Sequence, residues 1–162
     1  MFHMEWFDLS VNQPDGKTIR MADFRGKVVM VVNTATRCGL APQFRELEQL
    51  HQQYGDQGLV VLGFPSNQFR QEPETNETVE ESCAINFGVT FQLTEQVRVN
   101  GKDTHPVFRF LKDHLPGKLG KRITWNITKF LVTKEGKPFK RYAPNTKPSE
   151  MDADIKALLS SG

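Results

Sequence analysis

The run KVVMVVN, residues 27–33, is almost unbroken in its apolar character and rich in valine. Such a run predicts a strand buried on both faces, and LVVLGF (59–64) predicts a second. Between them, Phe44, Leu47, Leu50 and Tyr54 recur at helical spacing, so a helix is expected from Ala41 to Tyr54, ended by GDQG. Ahead of the first strand, EWFDLSV, the turn NQPDG and KTIRM read as a β-hairpin. NETVEESCAINF (76–87) reads as a helix with Val79, Cys83 and Phe87 on one face. VTFQL and QVRV are short extended pieces. A further helix runs from a Thr104 cap to about His114, with Pro106 in its first turn, where proline is tolerated. WNITKFLVT (125–133) and KPFKRYA (137–143) flank KEG as a second hairpin. Ser149 with Asp152 resembles a capping box opening a last helix, whose inner face carries Ile155, Leu158 and Leu159. This order predicts an α/β fold: a central mixed β-sheet flanked by helices, with an N-terminal β-hairpin.

Composition changes the picture little. The chain has 162 residues, 38% hydrophobic and 25% charged, which suits one domain spanning residues 1–162 with its own core. A net charge of +2 gives no argument for nucleic acid or a membrane surface. No segment is long and apolar enough to span a bilayer. The start, MFHMEWFDLS, lacks the basic, apolar and small-residue order of a secretory signal, so the cytoplasm is the expected location. Only two cysteines occur, Cys38 and Cys83, which excludes a disulfide-dense scaffold. In a reducing compartment such a pair is either inert or does redox chemistry. Apolar strands near the middle with helices on both faces fit a thioredoxin-like plan.

Cys38 stands in NTATRCGLAPQF, where a strand gives way to a helix. At a helix N-terminus, free backbone N–H groups and the helix dipole favour negative charge, and so favour thiolate over thiol. Thiolate is the nucleophile. Arg37 is adjacent and either supports that charge or points to solvent. The bland alternative for Cys38 is a small residue filling a tight corner. A hydrolytic nucleophile needs a histidine base, and none of His3, His51, His105 and His114 sits at a strand end that would face Cys38. No Cys-x-x-Cys or His-x-x-x-His spacing suggests a metal, and no glycine-rich phosphate loop is present. No cofactor is expected. A thiolate without base or metal points to redox chemistry.

NTATRCGLAPQFRELEQL, LVVLGFPSNQF, QEP, FGVTF, VNG, HPVF and WNITKFLV occur in that order. Together they resemble the glutathione peroxidases of the non-selenium, cysteine-containing type, over about residues 5 to 160. The resemblance implies a thioredoxin-like fold, with Cys38 as peroxidatic cysteine and a cluster of Gln, Trp and Asn around its sulfur. Trp125 and Asn126 match directly. Indole N–H and amide NH₂ are neutral donors that keep their protons at any working pH and stabilise charge on sulfur and on the breaking O–O bond. Without the resemblance, Trp125 reads as core and Asn126 as a turn or cap. The glutamine is ambiguous. The family usually has two residues between the phenylalanine of NQF and the following QE, and this chain has only Arg70. Anchoring on QEP selects Gln71; anchoring on FPSNQF leaves Gln68. Gln71 is preferred because Glu72 and Pro73 also match.

Ser66 stands where many relatives have cysteine, so that position resolves nothing here. Cys83, in SCAINFGVTF, matches the resolving cysteine of thioredoxin-dependent members, against the alternative of an inert cysteine on an apolar helix face. The resemblance therefore implies a thiol peroxidase reducing hydrogen peroxide and organic or lipid hydroperoxides. It would work through a Cys38 sulfenic acid and a Cys38–Cys83 disulfide, with thioredoxin or glutathione as electron donor. LKDHLPGKLGKRITWN is short where tetrameric relatives carry an insertion, so a monomer is expected. The alternative is a peroxide-sensing relay that passes its disulfide to a client protein.

Overall fold

Seven strands and three α-helices are laid out in a computed structural model of the chain, which describes residues 4–35, 42–66, 88–117 and 120–161. In chain order they are β1 (Ser10–Asn12), β2 (Thr18–Arg20), β3 (Val28–Thr34), α1 (Gln43–Tyr54), β4 (Leu59–Pro65), β5 (Gln92–Leu93), α2 (Pro106–His114), β6 (Lys129–Val132), β7 (Pro138–Tyr142) and α3 (Asp152–Ser160). β1 and β2 form the N-terminal hairpin. The other five make one sheet in the order β5-β4-β3-β6-β7. β3 runs parallel to β4 and antiparallel to β6, so the sheet is mixed, as the sequence predicts.

β3 is buried at all seven positions, which its valine-rich sequence requires. Alternation divides the core. Val28, Met30 and Val32 face one layer with Phe44, Leu47, Leu50 and Tyr54 of α1 and Ile155 and Leu158 of α3. Val29 and Val31 face the other, with Val107, Phe108 and Leu111 of α2 and Val11 and Ile19 of the hairpin. Full burial of each such side chain stabilises by about 1.5–3 kcal/mol. The two layers therefore hold β3 rigidly, and its C-terminal end becomes a fixed platform.

Several expected boundaries shift for identifiable reasons. Trp6–Asp8 is a 3-10 turn rather than the start of a strand, with the Glu5 N–H donating to the Asp8 carboxylate. QVRV pairs in no strand of the sheet. Val97 and Val99 are buried as a loop, held by the Val97 N–H on the Pro65 carbonyl. The cap of α2 is His105, whose Nδ1 accepts from the Val107 N–H, while Thr104 turns back to the Gly101 carbonyl. Ser149 does not open a capping box. It lies inside a 3-10 turn, Pro148–Met151, where the Glu150 carboxylate accepts from the Lys147 N–H, and α3 follows directly. WNITKFLVT is strand only from Lys129, and residues 125–128 form a turn. The helix expected over 76–87 lies outside the described residues.

Candidate active site

The Trp125–Thr128 turn is built on the C-terminal end of β3. Asn33 is fully buried there, and its side chain reaches both ends of the turn. Its Nδ2 donates to the Trp125 carbonyl (3.2 Å), and its Oδ1 accepts from the Thr128 N–H (2.9 Å). The Asn33 carbonyl also accepts from the Ile127 N–H at 2.7 Å. Thr128 closes the turn from inside, its hydroxyl donating to the Trp125 carbonyl (3.0 Å).

The turn is strained at Ile127, whose φ is +65°, the left-handed region that a β-branched residue enters only at a cost. Strain of this kind costs about 1–3 kcal/mol and persists only where surroundings enforce it. Here burial of the Ile127 side chain among the β3 and α1 residues and the bonds from Asn33 enforce it.

The geometry sends neighbouring side chains to different places. Trp125 is 38% exposed, so it is not a core residue. Asn126 is fully buried, and among the described residues neither its Nδ2 nor its Oδ1 has a hydrogen-bond partner. An unsatisfied buried polar group costs about 1–3 kcal/mol, so an amide left this way calls for an explanation. Asn126 lies beside the C-terminal end of β3, where Asn33 stands five residues before Cys38 in the sequence.

The surroundings hold the turn and the start of α1 in register. Lys129, fully buried on β6, donates to the carbonyls of Ala143 (3.4 Å), Pro144 (3.0 Å) and Thr146. Gln43, the first residue of α1, donates to the same Pro144 carbonyl at 3.0 Å. Burial pushes the Lys129 ammonium down to about 8, opposed by the charges of Glu46 and Glu150. On the other side, Arg141 donates to the carbonyls of Lys121 (2.9 Å) and Arg122 (2.7 Å), and burial lowers its pKa. Asn100 brackets Ile123, donating to its carbonyl (2.7 Å) and accepting from its N–H (2.8 Å). A cavity of about 490 Å³ opens between Thr124, Thr128, Arg141 and Pro144. That volume falls within the range of small-molecule sites.

Of the residues singled out from sequence, Trp125 and Asn126 share this turn. Arg37, Cys38, Gln68, Gln71 and Cys83 lie outside the described residues. Ser66 is buried, its N–H donating to the Thr34 carbonyl at 3.0 Å, so the ends of β3 and β4 are tied together. Sequence reasoning missed Asn33, Asn100 and Lys129. The signal for Asn33 was a polar residue closing an apolar run, and for Lys129 a cation inside one. Among the described residues, no group of three or more His, Cys, Asp and Glu side chains is placed to hold a metal ion.

The family model described as Glutathione peroxidase matches residues 6–112. A protein of Lactococcus lactis named "Glutathione peroxidase" is 48% identical over 157 residues, covering 96% of this chain and 100% of its own. "Glutathione peroxidase-like peroxiredoxin 2" of Saccharomyces cerevisiae is 44% identical, covering 96% and 97%. "Hydroperoxy fatty acid reductase gpx1" of Synechocystis is 46% identical, covering 94% and 95%. Among solved structures, T. cruzi GPX1 superposes with a TM-score of 0.80 at 28% identity, covering 98% of both chains. A thioredoxin-family thiol:disulfide interchange protein from Chlorobium tepidum gives 0.69 at 18% identity, covering 94% and 93%. At that identity the likeness speaks for the thioredoxin-like fold alone.

Proposed function

Because the chain belongs to the glutathione peroxidase family, and is a thiol peroxidase acting on hydroperoxides with a thiol donor, we propose that its reacting sulfur is that of Cys38. The observation that carries this is Asn126, a buried amide that has no partner among the described residues, at the C-terminal end of β3. In this reading the Asn126 amide, the Trp125 indole and the carboxamide of Gln71, in preference to that of Gln68, donate hydrogen bonds to the thiolate. Arg37 adds positive charge nearby.

The thiolate attacks the terminal oxygen of the hydroperoxide. The O–O bond breaks, sulfur gains the oxygen as sulfenic acid, and the leaving alkoxide or hydroxide takes a proton and departs as alcohol or water. The donors stabilise charge as it moves from sulfur to the leaving oxygen. Cys83 then attacks the sulfenic sulfur, water leaves, and a Cys38–Cys83 disulfide forms. Reduced thioredoxin exchanges with that disulfide and restores both thiols. The yeast relative's name, a peroxiredoxin, supports thioredoxin over glutathione as donor, and the Synechocystis relative's name supports organic hydroperoxides among the substrates.

The cavity beside Thr124 and Thr128 has room for the organic part of such a peroxide. The enzyme acts as a single-domain monomer in the cytoplasm; no helix among the described residues is long and apolar enough to cross a membrane. A coupled NADPH assay that compares thioredoxin with glutathione tests the reading. Turnover with thioredoxin and its loss in Cys83→Ser are expected. Full cycling by Cys83→Ser would overturn the resolving role.

A further inference from the structure

We propose that Asn33 is a positioning residue for the peroxidase reaction: its side chain holds open the turn that presents Trp125 and Asn126. The proposal rests on the reading of those two side chains given above. In an ordinary four-residue turn the first carbonyl accepts from the fourth N–H. Here the Thr128 N–H goes instead to Asn33 Oδ1, and the Trp125 carbonyl accepts from Asn33 Nδ2. The Asn33 amide is thus inserted where the turn's own closing bond would be. An amide is suited to this because it carries a donor and an acceptor side by side in one plane.

The main chain of Asn33 adds the bond from the Ile127 N–H. Ile127 has its left-handed φ at the third position of the turn, where glycine or asparagine is the usual choice. A turn carrying that residue has little tendency of its own to keep this shape, so the shape is imposed from β3. Since β3 is packed on both faces, Asn33 transmits the rigidity of the sheet to the two side chains that are to meet the sulfur.

The test compares Asn33→Ala and Asn33→Asp with the wild type. Asn33→Asp keeps the shape and the acceptor for the Thr128 N–H, but sets a carboxylate oxygen against the Trp125 carbonyl. First oxidation by hydrogen peroxide, followed by stopped flow, should slow by about ten- to a hundredfold in both variants, the scale expected for misplacing reacting groups by about an ångström. Acrylamide quenching of the half-exposed Trp125 should increase, while the buried Trp6 contributes little to it. Reduction of the oxidised enzyme by thioredoxin should change less than about threefold.

The deciding measurement repeats Asn33→Ala in a Trp125→Phe/Asn126→Ala background. A positioning role predicts that the Asn33 change then costs less than about threefold further, because the groups it positions are gone. Full multiplication of the two effects would overturn the proposal and make Asn33 a general structural residue. Wild-type oxidation rates in a folded Asn33→Asp protein would overturn it as well, as would failure of both single variants to fold. If the Trp125→Phe/Asn126→Ala protein itself oxidises at the wild-type rate, the catalytic reading of those residues fails. The quenching measurement still reports separately whether Asn33 sets the turn.

Discussion

Asn126 and Lys129 are both polar, both fully buried, and separated in the chain by the last two residues of the turn, Ile127 and Thr128. The fold treats them in opposite ways. Lys129 donates to three main-chain carbonyls of the 143–146 loop. Among the described residues Asn126 has no partner for either amide atom. Burying a polar group is costly unless folding supplies its hydrogen bonds. For Lys129 it does, and the result ties β6 to the loop that Gln43 of α1 also grips. For Asn126 the described residues supply none, and in the proposed reading the Cys38 thiolate is the acceptor that its amide meets. On that reading the pair separates a polar residue that serves the fold from one that serves chemistry.

Cys38→Ser marks the far end of the functional side and should show the largest effect. An alcohol of high pKa cannot replace the thiolate, so peroxidase activity with every donor should vanish. The melting temperature should stay close to wild type, since the change is nearly isosteric. Measurable turnover in a donor-coupled assay would remove Cys38 from the reaction.

Asn126→Leu comes next, and it should move activity and stability in opposite directions. Loss of one donor at an oxyanion-type site typically costs about 10²–10³ in rate, and an open thiolate site should lie at or below the lower figure. Replacing an unsatisfied amide by an apolar group of similar size should leave stability unchanged or raise it by about 1 kcal/mol. A variant that oxidises normally but melts early would place Asn126 with Lys129. Lys129→Met should give the mirror image. It removes one donor from three carbonyls, of which Pro144 keeps Gln43 and Ala143 keeps the Thr146 N–H while that of Thr146 is stranded. Stability should therefore fall by about 1–3 kcal/mol, while oxidation at low temperature should slow by less than about tenfold. At about 2–4 °C per kcal/mol for a chain of this size, a melting curve resolves it.

The sequence revealed the frame well and the interior of the site poorly. β3, β4 and α1 were legible because burial on both faces, or on one helical face, leaves an unmistakable periodicity. Their core residues Phe44, Leu47, Leu50 and Tyr54 lie where the spacing put them. The 125–128 turn was not legible, because WNITKF carries no glycine or proline and reads as a continuous strand. Its shape comes from Asn33, far away in sequence, and from burial of Ile127 against that residue's own backbone preference. Tertiary bonds of this kind leave no local pattern. Lys129 escaped notice for the same reason. A lysine among apolar residues looks like a solvated edge until the carbonyls of a distant loop are placed around it.

The smallest expected effect is a pH dependence that belongs to Lys129 alone. Burial pushes its ammonium down to about 8 in the folded protein, while an unfolded chain has the ordinary value of 10.5. Between those values the unfolded state holds a proton that the folded state has released, so stability rises with pH across this window. Below about 8 the burial penalty is fully present, and above 10.5 it is fully relieved. The ceiling on the gain is about 3 kcal/mol at 1.36 kcal/mol per unit. The carbonyls of Ala143, Pro144 and Thr146 favour the charged form and reduce it. The gain should therefore appear as a stability difference between wild type and Lys129→Met that widens as pH rises, while the two share every other titrating group. In urea titrations from pH 7.5 to 10, the wild type should gain on the variant by about 1 kcal/mol. A constant difference across that range would mean that the three carbonyls hold Lys129 charged throughout, and that its partners compensate fully for its burial. That result would sharpen the contrast with Asn126, whose burial nothing among the described residues offsets.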